Sequence, residues 1–443
     1  MAEPFRIERE DLEGPVRRAA GWLAANGVRR EDRVLLAAPN HPSTLALALG
    51  ALRSGVVPVV VGPDLPSEEL AWIRDDARPA LAVEDPAAVP LDEARPADLA
   101  DVPLGRPMMY TSGTSGRRKG VWSGILHEEP ARDWAADERD LWAPEPGRPF
   151  LVCSPLSHSA GFRAATAALL AGATLVLLER FDAPAVVRLL AEEPVTGTFL
   201  VPTHLRRILD LGADLPHPAA VRKVLHAGEP CPEAVKRRAM EWLPEGTMWE
   251  FYGSTEGQFT AISPEEWLGR PGSVGRARPG RTLEVPEPGP DGVGTVYVSA
   301  PPFARWRYWN DPAGTAAAWR GDAFTAGDVG RLDDQGYLFL MARGGDLVIS
   351  GGVNVYPAEV ERVLLAHPAV DEAVVFGVPD DRWGERVAAL VAARGVTGAE
   401  LQAWIKERLE PARRPKSIEV REALPRTSTG KLDRAAARQL LAE

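Results

Sequence analysis

The feature that most limits the possible folds is an alternation of helix-like and strand-like segments along the first half of the chain. Helical periodicity covers residues 16–25 and 43–53, and Ser67 followed by two glutamates predicts an N-cap and a first helical turn. Apolar strand-like runs lie at residues 33–38, 56–61, 150–156, 174–178 and 221–226. Strands that alternate with helices in this way are typical of an α/β domain with a largely parallel sheet.

The pattern of residues changes twice further along the chain. Proline and glycine become denser between Pro264 and Gly294, and short strands such as residues 295–299 predict a small β-rich subdomain. After Arg343 the pattern indicates a compact α+β unit. It has a helix at 357–366, strands at 373–378 and 387–392, and a helix from Thr397, which has capping-box spacing with Glu400.

We therefore predict an α/β fold in two parts. A large N-terminal domain of α/β layers, with the small β-rich subdomain, covers residues 1–343. A hinge follows at residues 344–346. A small, mobile α+β C-terminal domain covers residues 347–443.

The composition excludes several classes of protein. The formal net charge of −11 disfavours a nucleic-acid partner, which calls for a basic surface. The longest apolar run, residues 164–178, is shorter than the roughly 20 residues that a membrane span needs, and the N-terminus is charged where a secretory signal is apolar. Two distant cysteines, Cys153 and Cys231, fit a reducing compartment. We expect a cytoplasmic protein without a membrane span.

Hydroxyls, glycines and cations are concentrated between Tyr110 and Gly120. Glycines let backbone N–H groups approach phosphate oxygens, hydroxyl groups add donors, and a lysine adds charge. The spacing differs from that of a Walker A loop, and composition alone is also typical of a linker. The predicted phosphate-binding residues are Thr111, Ser112, Gly113, Thr114, Ser115, Gly116 and Lys119.

This loop resembles the signature loop of the adenylate-forming superfamily, which contains acyl- and aryl-CoA ligases, adenylation domains and luciferases. Five further motifs follow in that family's order, and together the six cover nearly the whole chain from about Val16. The N-terminal region is shorter than is usual in the family. The further motifs are HAGEP at 226–230, FYGSTEG at 251–257, AGDVGRLDDQGYL at 326–338, ARGGDLVISGGVNVYPAEVE at 342–361 and PRTSTGK at 425–431.

The resemblance implies a ligase that joins a carboxylate to the α-phosphorus of ATP. Two anions must then meet while charge builds on the phosphoryl oxygens, so cations and donors must converge. The implied catalytic residues are Lys431, which bridges the carboxylate and the α-phosphate, Thr255, which donates to the α-phosphate, and Glu256, which is the ligand of Mg²⁺. Taken in isolation, such residues are more often surface groups or helix caps.

The resemblance also implies how the nucleotide is bound. Asp328 accepts hydrogen bonds from the ribose hydroxyls, and Arg343 supports the ribose or the phosphates. Tyr252 stacks on the adenine. The opposite wall of the adenine pocket is formed by Gly228, Glu229 and Pro230.

The implied acid-binding residues follow two strands. The segment SPLSHSAG lacks the aspartate with which amino-acid adenylation domains usually bind the substrate ammonium, so a plain carboxylic acid is favoured. Arg163 and Lys223 are candidates for holding a second carboxylate, although charged residues are more often solvated. The implied acid-binding residues are His158, Gly161, Phe162, Gly253 and Ser254.

For the second half-reaction, the resemblance implies that the C-terminal domain rotates to build a tunnel for the pantetheine arm of coenzyme A. Gly351 and Gly352 match the glycines that line it, although a turn before the helix at Pro357 is an equally good interpretation. Gly345 occupies the hinge position that the family usually fills with Asp or Lys. Arg118 replaces the usual proline before the signature lysine, which leaves the loop's donors intact.

Three functions remain open from sequence. The first is an acyl- or aryl-CoA ligase that uses ATP, Mg²⁺ and coenzyme A. The second is an enzyme that forms the same adenylate but passes the acyl group to a separate carrier protein or to an amine. The third is a noncatalytic nucleotide- or acyl-adenylate-binding protein, which the presence of Thr255, Glu256, Asp328, Arg343 and Lys431 disfavours.

Overall fold

A computed structural model describes residues 3–111, 118–380, 382–426 and 432–441 of the chain. Within these ranges the helices lie in both halves of the chain. They are α1 Arg9–Ala25, α2 Pro42–Ser54, α3 Ser67–Ala77, α4 Glu128–Trp142, α5 Ser159–Leu170, α6 Ala183–Glu192, α7 Pro202–Leu209, α8 Glu233–Trp242, α9 Pro264–Gly269, α10 Pro312–Ala318, α11 Pro357–Leu365, α12 Gly398–Lys406 and α13 Arg434–Leu440.

The strands up to residue 277 build the main sheet and two small N-terminal sheets. They are β1 Phe5–Ile7, β2 Arg33–Ala37, β3 Val57–Val61, β4 Leu81–Val83, β5 Met109–Thr111, β6 Lys119–Trp122, β7 Pro149–Val152, β8 Thr174–Leu177, β9 Gly197–Leu200, β10 Lys223–His226, β11 Met248–Gly253, β12 Gln258–Ile262 and β13 Arg276–Ala277.

The remaining strands form the smaller sheets and the C-terminal unit. They are β14 Thr282–Glu284, β15 Gly294–Thr295, β16 Tyr297–Ser299, β17 Arg307–Tyr308, β18 Trp319–Arg320, β19 Ala323–Phe324, β20 Asp328–Leu332, β21 Leu338–Arg343, β22 Val348–Ser350, β23 Val353–Val355, β24 Val370–Asp380, β25 Gly384–Ala393 and β26 Ser417–Arg421.

The main sheet has the order β1-β8-β7-β9-β10-β11-β12-β13. Its central strands β8, β7, β9, β10 and β11 are parallel, whereas β1, β12 and β13 pair antiparallel at its two sides. Central strands such as β9 are buried along their whole length, because helices cover both faces. This arrangement confirms the predicted parallel α/β layers. It also places the loops that follow β7, β9, β10 and β11 at one end of the sheet, where α/β proteins bind their ligands.

Helix α2 is apolar almost throughout and is buried between α1 and the small parallel sheet β3-β2-β4. Its N-cap His41 accepts a hydrogen bond from the Ser43 backbone, and Gly55 ends it in the left-handed conformation with φ of +78°. Close contact with α1 depends on Gly50. A Cβ atom at Gly50 would lie 2.6 Å from the Val16 carbonyl oxygen and 3.0 Å from the Ala19 Cβ.

Residues after Arg276 build smaller antiparallel sheets. Two of these sheets, with the strand orders β14-β16-β19-β18 and β15-β20-β21, form the predicted β-rich subdomain. In a third sheet, β17 joins the hairpin of β5 and β6. The C-terminal unit is an α+β fold in which the long strands β24 and β25 pair antiparallel and β26 adds in parallel. Helix α12 begins with the capping box that the sequence predicts between Thr397 and Glu400.

Two local expectations were wrong. Ser67 is the first helical residue and Pro66 occupies the N-cap of α3, with no side-chain cap. The strand expected over residues 150–156 ends at Val152, because the following residues turn into α5. Within the described ranges, none of the helices has both the length and the apolar character required to cross a lipid bilayer.

Gly50→Ala is expected to destabilise the N-terminal part by about 1–3 kcal/mol, because the new methyl group would collide with the α1 backbone. The collision outweighs the gain in helix propensity, which is about 1 kcal/mol. Gly269→Ala is a matched control, since a Cβ at Gly269 meets nothing within 4 Å. Thermal unfolding of both variants tests this packing. An equal melting temperature for Gly50→Ala and wild type would contradict it.

Candidate active site

A tight turn between β11 and β12 presents Thr255 and Glu256. The Ser254 N–H donates to the Gly257 carbonyl at 2.8 Å, and the Gly257 N–H donates back to the Ser254 carbonyl at 3.2 Å. Gly253 must lack a side chain here, because a Cβ would lie 2.5 Å from the Gly257 carbonyl oxygen. The turn is therefore fixed by its backbone, and it holds two of the three predicted catalytic residues at the carboxyl end of β11.

The Glu256 carboxylate is buried and has a defined partner. The Tyr308 hydroxyl donates to Glu256 Oε1 at 3.0 Å. Burial, together with the charge of Glu256, raises the pKa of Tyr308, so this phenol remains a donor. Arg106 Nη1 donates hydrogen bonds to the carbonyl oxygens of Glu256 and Thr255, at 2.8 Å and 3.5 Å. Both the side chain and the backbone of the turn are thus held in place.

The hairpin of β5 and β6 brings the signature-loop lysine to the same place. Thr111 pairs with Lys119, and β17 pairs with β6 so that Tyr308 lies opposite Val121. Lys119 Nζ lies 3.0 Å from Asp311 Oδ2 and 4.6 Å from the centroid of the Tyr308 ring. The other predicted phosphate-binding residues, Ser112, Gly113, Thr114, Ser115 and Gly116, lie outside the described residues.

The predicted nucleotide residues Tyr252, Asp328 and Arg343 form one cluster. Asp328 and Arg343 are opposite each other on β20 and β21, and Arg343 Nε lies 3.4 Å from Asp328 Oδ1. The Tyr252 hydroxyl donates to Asp328 Oδ2. Burial raises the pKa of the Asp328 carboxyl, and Arg343 and Tyr252 oppose that shift. The carboxylate can still accept hydrogen bonds, while half of the Arg343 side chain is exposed to a ligand.

Gly228, Glu229 and Pro230 follow β10, the parallel neighbour of β11. Glu229 accepts from the Thr203 backbone at 2.9 Å and from its hydroxyl at 2.5 Å, so it ties this loop to the start of α7. Since β10 and β11 run in the same direction, their following loops meet at the same end of the sheet. The adenine pocket between residues 228–230 and Tyr252 stays a prediction.

The predicted acid-binding residues lie around the start of α5. His158 is its N-cap residue, Phe162 is buried, and the buried Ser254 hydroxyl has no partner among the described residues. Gly161 has a packing reason for being glycine, because a Cβ would lie 2.4 Å from the Pro155 carbonyl oxygen. A role for these residues in acid binding stays a prediction.

The structure does not bring Arg163 and Lys223 together, which corrects the sequence-based pairing. Arg163 lies on α5 and lines a small cavity with Thr255. Lys223 begins β10, at the opposite end of that strand from the active site, and lies over the Trp249 ring in a separate crevice of about 630 Å³.

The predicted hinge and tunnel glycines adopt conformations that favour glycine. Gly345 has φ of +93°. Both of its neighbours form backbone hydrogen bonds: the Asp346 N–H donates to the Arg343 carbonyl at 2.9 Å, and the Gly344 N–H donates to the Gly327 carbonyl at 2.5 Å. Gly351 and Gly352, with φ of +58° and +81°, form the turn between β22 and β23, as the second interpretation expected. Lys431 lies outside the described residues, and Arg426 and Leu432 on either side of its loop form an antiparallel bridge.

Sequence reasoning missed three contributors to the site. Asp311 precedes Pro312 and caps α10, and that Asn-Asp-Pro pattern is a signal that predicts a helix start but not an ion pair with Lys119. Tyr308 reaches Glu256 only because β17 pairs with β6. Arg106 contacts the turn from about 150 residues away, and no local pattern marks that contact.

Comparison with known families covers most of the chain. Residues 5–104 and 107–307 match the family model of the AMP-binding enzymes. Residues 359–431 match the model of the AMP-binding enzyme C-terminal domain.

Curated relatives are similar along nearly their full length. The feruloyl-CoA synthase of an Amycolatopsis species is 34% identical over 470 residues, which cover 95% of this chain and 91% of that protein. The 2-succinylbenzoate–CoA ligase of Geobacillus kaustophilus is 32% identical over 462 residues, covering 96% of this chain and 91% of that protein.

Solved structures have the same fold. ATP-bound MatB from Rhodopseudomonas palustris superposes with a TM-score of 0.87 at 26% identity, covering 98% of this chain and 93% of that one. MenE of Bacillus subtilis, an o-succinylbenzoate CoA synthetase in complex with its acyl-adenylate intermediate, gives 0.85 at 28% identity and the same coverage. The amide bond synthetase McbA from Marinactinospora thermotolerans gives 0.84 at 28%, covering 98% and 94%.

Tyr252→Phe is expected to lower the melting temperature more at high pH than at low pH. The folded pKa of Asp328 is already raised by burial, and loss of the Tyr252 donor raises it further. The deficit relative to wild type is therefore small where Asp328 is protonated and grows as pH rises through its folded pKa. Melting curves that start below pH 3.8, the ordinary pKa of an aspartate carboxyl, and run to about pH 8 include both protonation states and measure this.

The matched control is Tyr356→Phe, which removes a Tyr–Asp hydrogen bond of 2.9 Å to Asp291 away from the cluster. This control measures the cost of losing a Tyr–Asp hydrogen bond outside the cluster, so only the deficit of Tyr252→Phe beyond it is assigned to Asp328. If Tyr252→Phe loses the same number of degrees at every pH, the proposed coupling to Asp328 is wrong.

Proposed function

The chain belongs to the AMP-binding enzyme family, and from that premise we propose which of its residues carry each step of the reaction. The enzyme is an ATP-dependent acid–thiol ligase. It forms an acyl-adenylate with release of pyrophosphate, and then an acyl-CoA thioester with release of AMP. The observation that carries the residue assignment is the convergence of Thr255, Glu256, Tyr308 and Lys119 at one end of the main sheet.

In the first half-reaction a carboxylate oxygen of the acid bonds to the α-phosphorus of ATP, and the bond from that phosphorus to the bridging oxygen breaks. Negative charge shifts onto the departing pyrophosphate. Lys119 and Arg343 approach from the N-terminal part, and we assign Lys431 to the meeting point of carboxylate and α-phosphate. Thr255, fixed on its turn, donates to an α-phosphate oxygen. These preorganised donors stabilise charge as it develops.

Glu256 fits a role as the protein ligand of Mg²⁺. A magnesium ion, when bound, neutralises part of the phosphate charge. Among the described residues no group of three His, Cys, Asp or Glu side chains is placed to hold a metal. A single buried carboxylate matches a metal that is bound mainly through substrate phosphates and water. Tyr308 holds that carboxylate in position through Oε1.

In the second half-reaction the CoA thiolate attacks the acyl carbonyl and AMP leaves. We propose that residues 344–346 act as a hinge between residues 1–343 and 347–443, so that Gly351 and Gly352 come to line the pantetheine tunnel. The hydrogen bond from Tyr356 to Asp291, at 2.9 Å, and the 3.3 Å ion pair of Arg206 with Glu372 join the two parts in the present arrangement. Rotation about the hinge must break both contacts.

The acceptor and the acid are separate questions. Relatives named for feruloyl-CoA and 2-succinylbenzoate act on different acids, so their names do not select one. Similarity to an amide bond synthetase keeps an amine acceptor as the second candidate, and a carrier-protein thiol as the third. Parallel assays with CoA, a carrier protein and an amine, each following acid-dependent release of AMP, distinguish them. AMP release that is accelerated by the amine or the carrier but not by CoA would rule out our first choice.

Lys431→Ala is expected to abolish adenylate formation while preserving transfer from a supplied acyl-adenylate to CoA. The lysine charge serves only the first reaction, and loss of one preorganised donor costs about 3 kcal/mol, or on the order of 10² to 10³ in rate. Lys416→Ala is the control, because that lysine donates to the Pro411 carbonyl within the C-terminal unit. An unchanged rate of pyrophosphate release in Lys431→Ala would refute the assignment.

Glu256→Gln is expected to raise the Mg²⁺ concentration required for half-maximal pyrophosphate release by at least about 10-fold, because an amide oxygen is a poorer ligand than a carboxylate. Tyr308→Phe should shift it in the same direction by less, since the carboxylate remains but loses its hydroxyl donor. Tyr337→Phe is the matched control, because it removes a 2.7 Å Tyr–Glu bond to Glu266 outside the site. A Mg²⁺ requirement that is unchanged in all three variants would exclude Glu256 as a metal ligand.

A further inference from the structure

A small cavity beside the Thr255 turn is lined by two buried arginines. Arg106 and Arg163 are 8% and 5% exposed, and they share the cavity with Ser159, Phe162 and Thr255. Arginine is almost never this deeply buried without an anionic partner, because removing its charge from water is costly. The charge balance around these two side chains therefore calls for an explanation.

Arg106 has no carboxylate within ion-pair distance among the described residues. Its Nη1 donates to two backbone carbonyls, those of Thr255 and Glu256, while Nη2 is buried and has no hydrogen-bond partner in the described part of the chain. Burial and the neighbouring charge of Arg163 lower the pKa of Arg106 to about 9. The charges of Glu138 and Glu256 oppose this shift, but neither carboxylate forms an ion pair with Arg106, which stays charged at neutral pH.

Arg163 is paired, but one of its N–H groups is also unused. Its Nε and Nη2 donate to Glu138 Oε1 at 3.0 Å and 2.6 Å, and Trp142 Nε1 donates to the other oxygen at 2.8 Å. Glu138 is thus fully engaged. Nη1 of Arg163 is buried without a partner among the residues that the structure describes.

The neighbouring charges do not supply the missing anion. Arg278 and Arg281 both donate to Asp137, which adjoins Glu138 on α4. Four buried arginines therefore share two carboxylates that pair with them directly, and a third buried carboxylate nearby, Glu256, acts on Arg106 without forming an ion pair with it. Asp140 is 3.9 Å from Arg278 but is 68% exposed, so it compensates little.

We propose that the acid substrate carries a second anionic group, most simply a distal carboxylate, which Arg106 and Arg163 bind in this cavity. The proposal rests on the ligase function proposed above and names its substrate class. The two unused N–H groups, Nη2 of Arg106 and Nη1 of Arg163, supply donors, and the anion supplies the counterion that Arg106 lacks. Thr255 lines the same cavity, which joins it to the reacting end of the acid.

The shape of the cavity limits the anionic group to a compact one. Its volume is about 10 Å³, which is room for about one water molecule. A carboxylate is larger than this volume, so its binding requires the side chains that line the cavity to move apart. An alkyl tail of the same length would leave two charged donors unsatisfied and desolvated, so selectivity against it should be strong.

The test compares matched acids with the wild-type ligase. Dicarboxylates from malonate to suberate are assayed for pyrophosphate release beside monocarboxylates and half methyl esters of equal length. At least one dicarboxylate should exceed its matched monocarboxylate and half ester by 10-fold or more in kcat/KM. A wild-type enzyme that prefers the monocarboxylate at every length would overturn the proposal while leaving the ligase function intact.

Substitutions test whether Arg106 and Arg163 bind the second anionic group. Arg163→Gln combined with Glu138→Gln removes both charges of the pair and limits the risk of misfolding, and Arg106→Gln removes the uncompensated cation. Each should lower kcat/KM for the preferred dicarboxylate on the order of 10- to 100-fold, with KM for ATP unchanged. Arg281→Gln is the matched control, a buried arginine of the same region outside the cavity, and it should leave the ratio of dicarboxylate to monocarboxylate activity unchanged.

Two other outcomes would overturn the proposal. If Arg106→Gln raises KM for ATP and leaves acid preference unchanged, the arginine serves the nucleotide phosphates. If no acid releases pyrophosphate, the ligase function is wrong. The dicarboxylate site is then tested by the melting temperature of the protein with each acid. Dicarboxylates must still raise the melting temperature of wild type, half esters must not, and the double variant must lose the effect; equal shifts in all cases would contradict the proposal.

Discussion

The turn from Ser254 to Gly257 fixes the geometry on which the rest of the site depends. Two reciprocal backbone hydrogen bonds close it, and Gly253 permits the close approach of the chain. Because it follows a strand of the parallel sheet, the turn lies beside the loops after β7, β9 and β10. We propose that nucleotide, metal and acid meet at this turn, which Tyr308 and Arg106 contact from distant parts of the chain.

The charges around the turn explain which polar side chains lie next to it. Glu256 is a buried anion that Tyr308 stabilises without adding charge, which leaves its negative charge available to a metal. Lys119 is held by Asp311 and by the ring of Tyr308, so the cation to which we assign phosphate binding has a fixed position. Arg106 contacts the same turn, and each of Arg106 and Arg163 keeps one buried N–H group without a partner among the described residues.

The sequence predicted the features that depend on residues close together in the chain or on motifs in a fixed order. The parallel strands, the capping box of α12 and the clustering of Tyr252, Asp328 and Arg343 agree with the structure, because each follows from residues close in sequence or from a whole-chain pattern. Contacts that depend on non-local pairing were not predictable. Tyr308 reaches Glu256 through the register of β17 with β6, and Lys223 is separated from Arg163 because it begins its strand rather than ending it. A single sequence contains no signal for either distance.

The central claim is that the acid's own carboxylate attacks the α-phosphorus of ATP before any thiol reacts. Labelling both carboxylate oxygens of an accepted acid with ¹⁸O tests this directly, because cleavage of the acyl-adenylate by CoA leaves one labelled oxygen on the phosphate of AMP. Mass spectrometry of the nucleotide should therefore find one ¹⁸O in each AMP released, with unlabelled pyrophosphate. Label in inorganic phosphate together with ADP, or unlabelled AMP, would contradict the account.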